Sequence, residues 1–197
     1  KVSGMRGVLR DITQNYLHEK QITHMALHDA LTGLPNRVLL EDRFKIAVRQ
    51  ASRTQQKVGI CFIDLDHFKN VNDTLGHAAG DELLMEVARR LRACVRHSDQ
   101  VMEGALEAAG TRSHRTLEAV GRLGGDEFVA LLPEVTDDTD SERVASRILD
   151  AMREPIFVAG QECFVTASVG IAMFPRDGLN LADLMRNSDV AMYSAKT

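Results

Sequence analysis

The sequence predicts an α/β fold in which helices flank a central sheet of mixed or antiparallel strands. Residues 57–66 form a nearly continuous apolar run, which is typical of a buried central strand. Two shorter apolar runs, 120–123 and 128–132, flank a pair of glycines and so predict a β-hairpin. Segments with apolar residues at helical spacing alternate with these strands, which indicates the α/β class.

The composition is that of a soluble globular protein. The 197 residues suffice for one domain and a short extension, and a hydrophobic content of 44% allows that domain to bury a core. The net charge is −4 without a basic tract, so we expect no nucleic-acid partner. No apolar run approaches the ~18 residues of a membrane span, so we expect no direct membrane contact. The lack of a signal peptide and the single, unpaired spacing of the three cysteines suit a cytoplasmic protein.

The N-terminal part of the chain is expected to lead into the domain core. Residues 7–13 resemble the end of a strand, and the polar segment 14–30 has helical character with few apolar residues. A helix of this kind cannot hold itself in a core and is typical of a linker or a coiled-coil seam. The segment 31–36 contains Gly33 and Pro35, which predict a turn.

The rest of the chain is assigned from its periodicity. Helices are predicted at about 37–53, 80–96, 141–152 and 181–196. Two further strands are predicted on either side of Gly160, at 155–158 and 163–174. Residues 102–120 form an unusually long connection between a helix and the hairpin, and they contain helix formers. We therefore expect an inserted segment there.

Four carboxylates are expected at one edge of the sheet. Asp64 and Asp66 end the buried strand, whereas Asp126 and Glu127 lie at the tip of the hairpin. If the two strands pair, these groups meet and repel one another unless a cation lies among them. Oxygen ligands favour Mg²⁺, which takes one or two carboxylates and leaves its other positions to water and phosphate. The alternative is that Asp64 and Asp66 simply end a strand in a solvated turn.

The segment 67–84, which follows the strand, has groups suited to a nucleotide. Lys69 carries a positive charge suited to phosphate, while Asn72 and Asp81 offer an amide and a carboxylate for a base edge. Gly76 and Gly80 allow close approach of the backbone. Each residue alone is more often an ordinary turn or cap residue, as Asp81 would be at a helix start. Together with the hairpin, they indicate a nucleoside triphosphate held through Mg²⁺.

Five motifs follow one another along the chain: "LTGLPNR", "DLDHFKNVND", "GRLGGDEF", "ASVGIAMFP" and "LMRNSDVAMYSAK". In this order they resemble the GGDEF domain family, the diguanylate cyclases, over about residues 24–197. The resemblance implies a palm-like fold, related to nucleotidyl cyclases and polymerases, with a mixed central sheet and the GGDEF motif on a hairpin tip. It also implies that two GTP molecules are joined into cyclic di-GMP, with release of two pyrophosphates, by a homodimer that holds one GTP in each subunit.

The resemblance assigns a metal site and a proton acceptor. Mg²⁺, or Mn²⁺ in its place, would be held by Asp64, Asp126 and the backbone carbonyl of Leu65. Asp126 or Glu127 would accept the proton of the 3′-hydroxyl that attacks the α-phosphate of the other GTP. A metal ion beside that hydroxyl lowers its pKa, so an ordinary carboxylate can serve as the base.

The guanine and the ribose are assigned to two other places. Asn72 and Asp81 would hydrogen-bond guanine, and His77 would line the same pocket. An acid accepts from the N1–H and N2–H₂ groups of guanine, a donor pair that adenine does not have. Gly124 and Gly125 would leave room for the ribose and the α-phosphate.

The β- and γ-phosphates would be held by a third set of groups. The resemblance implies Lys69, Lys196 and the backbone amides around His67 and Phe68. Such a division of roles suits nucleotidyl transfer, which depends on in-line positioning and on neutralising charge at the phosphates.

A possible inhibitory site for the product follows the helix predicted at 80–96. The tetrapeptide "RHSD" matches the RxxD pattern of the family, in which Arg96 and Asp99 would bind cyclic di-GMP. The alternative is a charged helix end, since four residues are a weak pattern. In the family this motif lies a few residues before GGDEF, but here 102–120 come between them. Product inhibition is therefore left open.

The motifs also predict the domain organisation. Residues 1–13 resemble the end of an upstream PAS-like sensor domain, 14–30 its linker helix, and 31–197 the GGDEF domain. The stretch "LPNRVLLEDRF" resembles GGDEF domains that precede an EAL phosphodiesterase domain, so we expect a fragment of a longer signalling protein. Two rivals of the cyclase are a catalytically silent module that binds GTP or cyclic di-GMP and a passive dimerisation domain. Neither has a chemical need for the full set of carboxylates and glycines.

Overall fold

The computed structural model describes residues 22, 24–106 and 119–196. The strand end predicted at 7–13 and most of the predicted linker lie outside these residues, although 24–27 are helical. In chain order the elements are α1 (Arg37–Thr54), β1 (Lys57–Leu65), α2 (Phe68–Leu75), α3 (His77–Leu106), β2 (Ala119–Gly124), β3 (Glu127–Val135), α4 (Asp138–Arg153), β4 (Ile156–Val158), β5 (Gln161–Cys163), β6 (Ala167–Phe174) and α5 (Leu181–Lys196).

Three elements differ from the prediction. The helix α2 is not among the predicted elements, because only Phe68 of its 8 residues is buried and the helical periodicity is weak. The strand predicted at 163–174 is divided into β5 and β6. The helix α3 continues to Leu106, into the predicted inserted segment, whose helix-forming residues extend it. Residues 107–118 of that segment lie outside the described part of the chain.

The main sheet has four strands in the order β2-β3-β1-β6, and β4 pairs with β5 in a separate ribbon. The predicted buried strand β1 therefore lies between β3 and β6, which confirms its central position. Every pairing among the described strands is antiparallel. The mixed sheet that the family resemblance implies is thus corrected to an antiparallel one over these residues, because β2 and β3 form a hairpin and the longer connections reverse the direction of the chain.

Helices cover both faces of the sheet. Val58, Ile60 and Phe62 of β1 belong to one core cluster, which includes apolar residues of α1 and α5. The intervening Cys61 and Ile63 belong to a second cluster, which includes residues of α3 and α4. Since side chains alternate between the faces of a strand, this explains why β1 is apolar at nearly every position.

Arg90 of α3 joins α3 to the end of α4, the other helix on this second face of the sheet. Its guanidinium donates to the backbone carbonyls of Ala151, Glu154 and Pro155, at 2.8, 2.7 and 2.7 Å, where α4 ends. Glu86 accepts a hydrogen bond from Nε of Arg90 at 2.9 Å. The side chain of Arg90 is only 14% exposed, so it satisfies carbonyls that the end of a helix leaves without an intrahelical donor.

Replacing this arginine should destabilise the fold. Arg90→Met removes the donor to three carbonyls, and we expect a loss of roughly 2–3 kcal/mol in the free energy of unfolding, measured by urea denaturation. The matched control is Arg89→Met, because Arg89 pairs with the same Glu86 but is 70% exposed. The control should lose clearly less than Arg90→Met, because an exposed ion pair contributes little to stability. Equal losses for the two variants would contradict the role given to Arg90.

Candidate active site

The candidate site lies where β1 ends beside the turn between β2 and β3. Asp64 of β1 is the pairing partner of Glu127 on β3 and of Ser168 on β6. The backbone N–H of Leu65 donates to the carbonyl of Asp126 at 3.3 Å. Because paired residues in a sheet direct their side chains to the same face, the carboxyl groups of Asp64 and Glu127 lie side by side. The structure therefore places Asp64 of the strand end beside Glu127 of the hairpin, whereas Asp66 accepts hydrogen bonds from Thr166 and Ser168.

The turn of the hairpin has an open backbone. Gly124 and Gly125 have φ values of +149° and +52°, in the region that side chains rarely adopt. A Cβ atom added to either glycine would meet no other atom within 4 Å. The turn thus offers bare main chain beside the carboxylates, where a ligand can approach closely.

Glu127 lies in a strongly negative environment. Burial raises the pKa of its carboxyl group above the ordinary value, and three neighbouring carboxylates, those of Asp64, Asp126 and Asp189, raise this pKa further. The guanidinium of Arg37 acts in the opposite direction. Arg37 begins α1 and Asp189 belongs to α5, the two helices that cover this face of the sheet.

Sequence reasoning missed both Arg37 and Asp189. Each lies inside a motif that resembles the family, Arg37 in "LPNR" and Asp189 in "RNSDVAMYSAK". Neither motif shows by itself that its charged residue approaches the hairpin, because that approach depends on how α1 and α5 pack on the sheet.

The donor set fits a hard divalent cation. Among the described residues, no three His, Cys, Asp or Glu side chains form a group that could hold a metal ion. The nearby donors are the carboxylates of Asp64 and Asp126 and the main chain of Leu65, so the protein supplies only part of a coordination shell. Mg²⁺ suits such a site, since it usually binds through one or two carboxylates and keeps water or phosphate at its other positions.

A second group of predicted residues lies on α2 and α3. A Cβ atom at Gly80 would overlap Oδ1 of Asn72, so the side chain of Asn72 lies against the bare backbone of α3. His77 and Asp81 lie in the first turns of α3 and are exposed. On α2, Lys69 is exposed, and the preceding His67 has a left-handed backbone with φ of +61°. The contact at Gly80 places α2 and α3 against each other at Asn72.

Three predicted residues have side chains outside the described part. Arg96 and Asp99 lie on α3, and Lys196 ends α5. The inhibitory site and the second phosphate-binding lysine stay predictions.

Comparison with known proteins identifies the family. The family described as "Diguanylate cyclase, GGDEF domain" matches residues 26–103 and 109–197. This chain belongs to the GGDEF domain family. The bifunctional diguanylate cyclase/cyclic di-GMP phosphodiesterase MucR of Pseudomonas aeruginosa is 41% identical over 90% of this chain, and the diguanylate cyclase TpbB of the same species is 39% identical over 89%. The solved GGDEF domain of TpbB has a TM-score of 0.72 and 38% identity, and the match covers 86% of this chain and 88% of that one.

These comparisons confirm the predicted α/β fold with helices around a sheet. The GGDEF chain spans 23% of the length of MucR and 36% of that of TpbB. No helix in the described ranges is long and apolar enough to cross a membrane.

Arg122 of β2 forms hydrogen bonds that fix the turn of the GGDEF hairpin. Its guanidinium donates to the carbonyl of Gly125 from Nε at 3.1 Å and from Nη2 at 2.8 Å. The remaining terminal nitrogen donates to the carboxylate of Asp29 at 3.0 Å. Asp29 in turn accepts from the backbone and the hydroxyl of Thr32 at 2.8 and 2.6 Å. One side chain thus joins the hairpin turn to the segment that precedes α1.

Removal of the Arg122 guanidinium should destabilise the turn of the hairpin. Arg122 is 11% exposed and Asp29 22%, so Arg122→Met should cost about 2 kcal/mol of unfolding free energy and speed hydrogen exchange at the turn amides. The control is Lys45→Met, which removes an ion pair with Glu41 whose side chains are 55% and 53% exposed. We expect the control to lose at most about 1 kcal/mol. Unchanged exchange at the turn in Arg122→Met would rule out the bracing role.

Proposed function

We propose that this domain is a diguanylate cyclase that condenses two GTP molecules into cyclic di-GMP and two pyrophosphates. The observation that carries the proposal is the pairing of Asp64 with Glu127 beside the open Gly124–Gly125 turn. This arrangement provides concentrated negative charge for a cation and a bare backbone for a nucleotide. The names of the relatives MucR and TpbB support the same reaction.

Asp64, Asp126 and the carbonyl of Leu65 would hold the divalent metal ion that GGDEF diguanylate cyclases use, which we propose to be Mg²⁺, with Mn²⁺ as a substitute. When bound, the ion would neutralise phosphate charge and acidify a nearby hydroxyl. The phosphates would contact Lys69, Lys196 and the amides of His67 and Phe68. These groups position the triphosphate for in-line attack.

The guanine of each GTP would lie between α2 and α3. Asn72 and Asp81 would hydrogen-bond its edge, and His77 would line the pocket. The exposure of Asp81 and the fixed contact of Asn72 with Gly80 support this assignment.

In the reaction, the 3′-oxygen of one GTP forms a bond to the α-phosphorus of the other, and the bond to pyrophosphate breaks. Asp126 or Glu127 accepts the proton of the 3′-hydroxyl. Burial and the neighbouring carboxylates raise the pKa of Glu127, which makes its carboxylate a better proton acceptor than that of an ordinary glutamate. A second, identical step closes the ring.

Two domains are needed, because each site holds one GTP and the attacking hydroxyl must come from the other. We propose a homodimer in which two hairpins face each other, with residues 31–197 as the catalytic domain and 14–30 as the linker to an upstream domain. GTP as substrate places the domain in the cytoplasm. Cyclic di-GMP would be both the product and, if Arg96 and Asp99 bind it, an inhibitor.

The deciding experiment incubates the purified chain with GTP and Mg²⁺ over a range of protein concentrations, and identifies products by mass spectrometry. The rate of cyclic di-GMP formation should rise more steeply than linearly with protein concentration, since two subunits meet to react. Asp126→Ala should yield no product. Saturable GTP binding without any product in the wild-type chain would instead establish the catalytically silent binding module, and absence of binding would leave only the passive dimerisation domain.

A second test concerns guanine recognition. Gly80→Ala places a Cβ against Oδ1 of Asn72 and forces that amide out of the pocket, so the affinity for GTP should fall by about 10-fold, the loss of a hydrogen bond or two. Calorimetry with a non-reactive GTP analogue measures this. Asn72→Ala should cause the same loss, and the double variant should add little to it. Full additivity of the two losses would show that Gly80 acts independently of Asn72.

A further inference from the structure

Asp66, which directly follows β1 and is the second acid of the Asp-Leu-Asp pattern, forms hydrogen bonds with the start of β6. Its carboxylate accepts from the hydroxyl of Thr166 through Oδ2 and from that of Ser168 through Oδ1, both at 2.8 Å. Its backbone N–H donates to the carbonyl of Thr166 at 2.8 Å. Three hydrogen bonds thus join Asp66 to β6 and to the residue before it, about 100 positions away in the chain.

The two residues next to Asp66 in the chain carry backbone groups that we assign to the metal ion and to the phosphates. Leu65, whose carbonyl would hold the metal, precedes it, and His67, whose amide would hold phosphate, follows it. The turn at 66–67 has no side-chain cap of its own, since His67 makes no capping hydrogen bond to α2. The contacts with Thr166 and Ser168 therefore hold this turn from the side of β6.

The sequence alone does not distinguish two roles for Asp66. In the pattern Asp-Leu-Asp, either acid or both could coordinate a metal ion. In the structure, each carboxylate oxygen of Asp66 accepts a hydrogen bond from a hydroxyl group, one of Thr166 and one of Ser168. Asp64, in contrast, lies opposite Glu127 at the carboxylate edge of the sheet. The two acids of the motif are therefore held in different environments.

We propose that Asp66 is a positioning residue, which fixes the metal-binding strand end and the phosphate-binding turn relative to each other through Thr166 and Ser168. The inference rests on the proposed function. Groups that orient metal ligands in this way typically contribute 10- to 100-fold to affinity or activity. We expect Asp66→Ala to weaken binding of a non-reactive GTP analogue with Mg²⁺ by about that factor.

The test removes the partners of Asp66 as well as Asp66 itself. The double variant Thr166→Val/Ser168→Ala lacks both hydroxyls and should reproduce most of the loss of Asp66→Ala when binding is measured by calorimetry. Combining all three substitutions should add little. Asp66→Asn keeps the size of the side chain and one acceptor oxygen, and should recover much of the affinity. A double hydroxyl variant that binds like wild type, while Asp66→Ala does not bind, would make Asp66 a direct metal ligand and overturn the proposal.

The matched control is Asp177→Ala at the other end of β6. Asp177 accepts from the backbone N–H of Met173 at 2.8 Å and from Arg176, so it also ties the end of this strand, but far from the carboxylate edge. Asp177→Ala should lower thermal stability and leave analogue binding unchanged. Equal losses of binding for Asp66→Ala and Asp177→Ala would show a merely structural effect and overturn the inference.

The same measurements distinguish failure of the proposed cyclase function from failure of the role proposed for Asp66. A wild-type chain that binds the analogue but forms no cyclic di-GMP would overturn the cyclase activity, while the Asp66 comparison would still be decided by binding. A wild-type chain that neither binds nor reacts would overturn both.

Discussion

The register between β1 and β3 is the constraint on which the site depends. It places Asp64 opposite Glu127, an arrangement of like charges that destabilises a sheet. The register is nevertheless secured, because the adjacent pairs are apolar, such as Ile63 with Phe128, and belong to a core covered by helices. A slip of one residue would turn every side chain to the opposite face. Packing of the core thus imposes repulsion at the edge, and a bound cation would offset that cost.

Much of the fold could be predicted because its core elements have strong patterns. The strand β1 is a nearly continuous apolar run that ends at acids, and α1, α4 and α5 show helical periodicity over 16 to 18 residues. The helix α2 could not be found in this way, since Phe68 is its one buried residue. The division between β5 and β6 could not be predicted either, because residues 163–174 are mostly apolar, and the strand is interrupted where the hydroxyl of Thr166 donates to Asp66.

In the candidate site too, the residues on elements with strong sequence patterns could be predicted and the others could not. Asp64, Asp126 and Glu127 could be predicted, because each lies directly at the end of a recognisable strand. Arg37 and Asp189 could not, since their approach to Glu127 depends on two helices from opposite ends of the chain. Asp66 was visible but ambiguous, because its partners lie about 100 residues further on. Sequence patterns identify ligands on single elements more readily than residues that act between elements.

Arg122 forms hydrogen bonds with two separate parts of the chain, and this has a thermodynamic consequence. One guanidinium holds both the carbonyl of Gly125 at the hairpin turn and the carboxylate of Asp29 just after the helical residues 24–27. A coupling free energy between two places is reciprocal. Any change of the N-terminal segment that alters ligand affinity at the turn must therefore be matched by an equal effect of the ligand on that segment. Occupancy of the proposed nucleotide site would then change the conformational equilibrium of the N-terminal segment, and the coupling would act in both directions.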